Sequence, residues 1–172
     1  MRSFIILLIV LAFQSCKEAT LTEIPEYEGP LREANNVETL YAEDNLVKLK
    51  MIAAEVLEFQ SGDREFPKGI YLEFYNEEGQ LSTILKANQA HFSKEKNLWR
   101  GWDNVEVKNI INKEQLNTEE LYWKPDEERI FTDKFVTIRL DKEVLYGTGL
   151  EAKQDFTSYT IKDPQGEFVI ED

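Results

Sequence analysis

The feature that most constrains this chain is a run-by-run alternation of apolar and polar residues, broken at short intervals by turn residues. Val136-Thr137-Ile138-Arg139-Leu140 puts three aliphatic side chains on one side and Thr137 and Arg139 on the other. Val47-Lys48-Leu49-Lys50-Met51 and Val105-Glu106-Val107 do the same. Successive side chains of a strand point to opposite faces, so each such run has one face to bury. Turn clusters separate the runs: Glu43-Asp44-Asn45, Ser61-Gly62-Asp63, Asn76-Glu77-Glu78-Gly79, Lys94-Glu95-Lys96-Asn97, Lys124-Pro125-Asp126-Glu127-Glu128, Asp141-Lys142-Glu143 and Asp163-Pro164-Gln165-Gly166. Strands punctuated this often predict one antiparallel all-β domain over residues 37–172. Residues 46–59 also carry Leu49, Ile52, Ala53, Val56 and Leu57 at helical spacing. The β runs around them make two strands the expectation there.

The chain also resembles itself when shifted by 31 residues. Ala90 falls on Leu121, Phe92 on Trp123, Trp99 on Ile130, Val105 on Val136 and Val107 on Ile138. A further shift places Leu121 on Ala152 and Ile130 on Ile161. The expected unit is strand, hairpin turn, strand, turn, strand. One unit cannot bury its own face, so the copies must stack on a shared core.

The N-terminus reads as an address. Met1-Arg2-Ser3 is a short positive start, and ten uncharged apolar residues follow it, from Phe4 to Phe13. Ten are too few to span a bilayer, which takes about 20, but they suit the central region of a secretory signal. Ser15-Cys16 follows, a small residue before the only cysteine, as in a bacterial lipobox. The expectation is a lipoprotein signal peptide over 1–15, acylation of Cys16, and a flexible tether over 16–36. That tether holds Pro25, Gly29 and Pro30 among charged residues.

Composition removes several function classes. Lys and Arg number 20 against 33 Asp and Glu, a net charge of −13. No positive excess exists to neutralise phosphates, so nucleic acid is not an expected partner. A lone Cys and a lone His exclude a disulfide and a four-ligand Cys/His zinc site. Gly147-Thr148-Gly149 lacks the lysine of a phosphate loop, and His91 reads as a rim side chain. The acidic runs sit at turns. No cofactor and no catalysis are expected.

The large inward side chains are Phe59, Leu72, Phe74, Phe92, Trp99, Val105, Val107, Trp123, Ile130, Val136 and Ile138. By residue type alone they read as the filling of a closed sandwich. If the two sheets part along one edge, they line an apolar trough, and a β body anchored beside a membrane is placed to receive lipid there.

Five pieces then resemble one family in order and spacing. They are Leu85-Lys86-Ala87-Asn88-Gln89-Ala90-His91-Phe92, Gly101-Trp102-Asp103-Asn104-Val105-Glu106-Val107, Leu116-Asn117-Thr118-Glu119-Glu120-Leu121-Tyr122-Trp123, Ile130-Phe131-Thr132-Asp133-Lys134-Phe135-Val136-Thr137-Ile138 and Tyr146-Gly147-Thr148-Gly149-Leu150-Glu151-Ala152. Each is weak alone. Together they resemble the LptC family and its LptA and OstA-like relatives. The resemblance implies a twisted, partly open antiparallel β-jellyroll on the periplasmic side of the inner membrane. It implies a lipopolysaccharide carrier that takes its cargo from an inner-membrane ABC transporter and hands it to an LptA-like bridge protein. Pairing with that bridge would use a strand edge, with Phe168, Val169 and Ile170 as the candidate. Better-known members keep an uncleaved transmembrane helix, whereas this chain is expected to use a lipid. The competing expectation is a structural or carbohydrate-binding lipoprotein with a closed β core.

Overall fold

A computed structural model describes residues 27–166. Their regular structure is strand, apart from one 3₁₀ turn at Pro125–Glu127. The strands are β1 (Arg32–Glu43), β2 (Leu46–Glu58), β3 (Arg64–Phe66), β4 (Ile70–Tyr75), β5 (Leu81–Ala87), β6 (Gln89–Ser93), β7 (Leu98–Asn109), β8 (Glu114–Lys124), β9 (Arg129–Arg139), β10 (Val144–Lys153) and β11 (Tyr159–Gln165). Every pairing is antiparallel.

Long strands are shared between two layers. The C-terminal half of β7 pairs with β5, Leu85 opposite Val107. Its N-terminal half pairs with β6, Phe92 opposite Trp99. Between the halves, Asp103 and Asn104 take φ of 62° and 59°, and the register to β8 shifts there. Short polar side chains tolerate this left-handed backbone, and such a bulge bends a strand. β2 is divided in the same way between β4 and β3. β3 pairs with β6, so the pairings β2–β4–β5–β7–β6–β3 return to β2. β8 to β11 then extend from β7 as a meander, with register shifts in β8–β9 and β9–β10 as well. This is the antiparallel all-β domain that the alternation predicts, in the twisted, partly open jellyroll form that the family resemblance implies.

Register puts the apolar residues in rows. Met51, Leu72, Leu85, Val107, Leu116 and Ile138 lie opposite one another from β2 across to β9. All six are buried. A side chain of this kind contributes about 1.5–3 kcal/mol when fully buried, so the row alone gives the sheet a strong reason to fold in this register.

Three expectations need correction. The 31-residue unit holds two strands, not three: the shift carries β6 onto β8, β7 onto β9 and β9 onto β11. Neighbouring antiparallel strands run in opposite senses, so equivalence returns only every second strand. Residues 46–58 form one strand rather than two, because β1 pairs along nearly its whole length and no turn residue interrupts it. Ordered strand begins at Arg32, inside the stretch read as tether, with Arg32 opposite Glu58. There β1 is exposed on most of its surface, so its residues lack the apolar alternation that marks a half-buried strand. Asp44 and Asn45 close that hairpin with φ of 51° and 64°, the backbone a tight two-residue turn requires.

Candidate functional site: an aromatic cleft between the layers

The interior is packed at its centre and open along one side. Val105, Val107, Ile130, Val136 and Ile138 are 0% exposed. Leu72 is also buried, beside a void of about 20 Å³ that it shares with Trp99 and Trp123. That void has room for about one water by size, and its walls are apolar apart from Arg100.

The open side is a cleft of about 730 Å³. Its size falls within the roughly 300–1,000 Å³ typical of small-molecule sites. Phe74, Phe92, Trp99 and Trp123 form its floor, reached by strands of both layers. Phe92 and Trp99 lie 4.8 Å apart between ring centres, Trp99 and Trp123 5.8 Å, and Trp123 meets Phe74 edge-on at 5.2 Å. The four rings are thus a continuous apolar track. Aromatic rings offer large area with few rotatable bonds, which makes such a track a rigid surface for hydrocarbon. The rim is polar and includes Lys48, Arg64, Glu77, Asp126, Gln154 and Asp155.

Depth is set by the turn from β10 to β11. Phe156 in that turn is 0% exposed and belongs to the main core, stacked on Tyr159 at 5.1 Å. Its φ is +56°, a conformation costly for a bulky L-residue, so surrounding contacts must hold it there. Those contacts come from both layers. Trp123 Nε1 donates to Gln154 Oε1 at 3.0 Å. Across the cleft, Thr83 Oγ1 donates to the Asp155 carbonyl at 3.0 Å, and Asn109 Nδ2 donates to the Asp155 and Phe156 carbonyls at 3.3 and 3.4 Å. The turn is a strap across the open side, with Phe156 as a plug beneath it.

Of the eleven residues expected to line a trough, Phe74, Phe92, Trp99 and Trp123 face this cleft. Leu72 borders the small void, and Val105, Val107, Ile130, Val136 and Ile138 are packed core. Phe59 lies apart, in a surface depression with Tyr27, Asp63 and His91. Cys16, the signal peptide and Phe168, Val169 and Ile170 lie outside the described residues. No helix among the described residues is long and apolar enough to cross a membrane. Sequence reasoning missed Arg64, Gln154 and Phe156. Arg64 sits in a three-residue strand too short to show a period, and Phe156 sits in a turn, where periodicity says nothing.

No curated protein matches the chain. The family model for lipopolysaccharide-assembly, LptC-related proteins matches residues 4–163, which is nearly the whole sequence. The match and the all-β fold agree, and the chain belongs to the LptC family, which acts in lipopolysaccharide transport at the periplasmic side of the inner membrane.

Proposed function

We propose that this protein is a non-enzymatic, lipid-anchored carrier. Acylated on Cys16, it receives lipopolysaccharide from an inner-membrane ABC transporter and passes it to an LptA-like bridge protein. The observation that carries the reading is the aromatic track in the open side of an otherwise filled jellyroll. An acyl chain of a dozen carbons has a transfer free energy near 10 kcal/mol at about 0.8 kcal/mol per methylene, so it needs such cover to cross water. An acyl chain lies along Phe92, Trp99 and Trp123. It reaches the core at Val136 and Ile138 only if the Phe156 strap lifts.

The strand edges support the hand-over. Among the described residues β11 pairs only with β10, and β1 only with β2. Such edges extend by strand addition, and the residues just after β11, Phe168, Val169 and Ile170, are the proposed docking edge. Two acyl chains or more on Cys16 would hold the body at the membrane without help from its charge, which anionic lipid repels.

A photo-crosslinker at Phe92 or Trp123 tests the reading in cells. It captures lipopolysaccharide while the transporter hydrolyses ATP, whereas the outward-facing neighbour Thr137 does not. Capture from Thr137 alone overturns the carrier and leaves a structural lipoprotein with a closed core.

A further inference from the structure

The cleft carries charges of both signs: five acidic residues, and the cations Lys48, Arg64 and the exposed Lys153. Glu43, Glu77, Asp126 and Glu128 line it but are exposed at the rim. The half-buried charged residues of the rim are Lys48, Arg64 and Asp155. Asp155 is already committed: its Oδ1 accepts from the Thr157 backbone at 3.0 Å and from the Thr157 hydroxyl at 2.7 Å. Neither Lys48 nor Arg64 forms an ion pair among the described residues. Of the cleft's cations, Lys48 and Arg64 are the half-buried ones, whereas Lys153 is exposed.

Arg64 is also held in place. Its guanidinium carbon lies 4.7 Å from the centre of the Phe92 ring and 5.7 Å from that of Trp99. Stacking uses the flat face of the guanidinium and leaves its N–H edge free, with donors in a fixed fork that matches a phosphate or carboxylate. The rings under Arg64 are the rings of the apolar track. A molecule lying on Phe92 and Trp99 therefore brings its own end to Arg64.

We infer that Arg64, with Lys48, forms an anion subsite at the mouth of the cleft, which selects amphiphiles carrying a phosphate or carboxylate next to the hydrocarbon chain. This rests on the carrier reading and adds the polar end of the ligand to it. The subsite gives the carrier a direction: the head stays at the rim and the tail lies along the track.

The test uses the full-length protein and probes that share one tail. Dodecyl phosphate, dodecyl maltoside and inorganic phosphate are each titrated below micelle formation, with tryptophan fluorescence as the readout. Dodecyl phosphate binds about tenfold tighter than dodecyl maltoside, the size expected of one charge-assisted pair of hydrogen bonds. Arg64→Gln brings the ratio close to one, Arg64→Lys retains part of it, and Lys48→Gln lowers it less than Arg64→Gln does. Inorganic phosphate binds far more weakly than dodecyl phosphate. Equal affinity for the two amphiphiles, or a ratio unmoved by Arg64→Gln, overturns the subsite and leaves the carrier standing. Inorganic phosphate binding as tightly as dodecyl phosphate overturns it in favour of a free-anion site. Failure of both amphiphiles to perturb the fluorescence overturns subsite and carrier together.

Discussion

Thr83 and Asp155 are 72 residues apart in the chain and joined by one hydrogen bond, from the Thr83 hydroxyl to the Asp155 carbonyl at 3.0 Å. Thr83 is fully buried, so its hydroxyl must find a partner inside the protein. The partner it finds is the strap, and the bond ties β5 to the turn after β10. Asn109, also buried, reaches the same carbonyl from β7. Three side-chain contacts on one margin and Trp123 on the other seat the plug, with no strand ladder between the strap and β5 or β7.

Thr83→Val removes the hydroxyl and keeps the shape. Asn109 still serves the Asp155 carbonyl, so the loss is about 1 kcal/mol by urea unfolding. The informative change is local: backbone amides of Phe156 and Thr157 exchange faster with solvent while those of β8 do not. Unchanged exchange in the strap would show that these bonds do not hold it.

Phe156 itself carries two opposing effects. Its removal as Phe156→Ala leaves a hole in the core and costs about 3–5 kcal/mol. Glycine usually does worse than alanine by about 0.5–1 kcal/mol. At φ +56° the order reverses, because an L-residue there bears a strain of roughly 1–2 kcal/mol that glycine escapes. Phe156→Gly is thus at least as stable as Phe156→Ala. A urea midpoint clearly lower for the glycine variant would mean that Phe156 is not strained.

How legible all this was depends on whether a residue sits in a regular run. The runs that alternate cleanly, β4 and Val136–Leu140 across the end of β9, and the turn at Asp44-Asn45 could be read residue by residue. That Leu72, Val107 and Ile138 point inward followed from the same period, but not which of them lie opposite one another. Where the sheet bends, the period fails: Asp103 and Asn104 break the alternation of β7, and that break is what folds the sheet into two layers. The division of inward residues into floor and filling was also hidden. Trp123 and Ile130 lie opposite each other in register, yet the first faces the cleft and the second has no exposure. Only the path of the strap distinguishes them, and a strap made of turn residues carries no sequence period.

Glu73 on the outer face of β4 accepts from two phenols, Tyr71 at 3.0 Å and Tyr75 at 2.7 Å. Tyr71 has its pKa raised, first by burial and then by the bond to Glu73; Tyr75 has its raised first by the bond to Glu73. A phenol whose folded pKa is raised stabilises the fold fully below its unfolded pKa, near 10, and loses that contribution as pH rises through the folded value. Stability therefore falls on the alkaline side above about pH 10. Glu73→Gln makes the fall shallower, measured as urea midpoint against pH. A slope identical in the two proteins would show that the trio does not couple to folding.

Gly147 of β10 lies opposite Pro164 of β11. A Cβ there would come within 2.6 Å of the Asp163 carbonyl oxygen and would also strike Ile161. The Ile161 side chain can rotate away, but the Asp163 oxygen is backbone held in the ladder and can move only with its strand. Gly147→Ala therefore pushes β11 off β10 rather than repacking a side chain, at about 1–3 kcal/mol, the usual cost of overpacking. Amides of Ile161 and Asp163 exchange faster, while those of β4 and β5 on the far side keep their protection. The lifted strand leads directly into the proposed docking edge at Phe168, Val169 and Ile170, so the variant also pairs less well with an LptA-like partner in a pull-down. A Gly147→Ala protein with native exchange in β11 would mean that the two strands have slack at this pair and that the glycine is not what seats the edge.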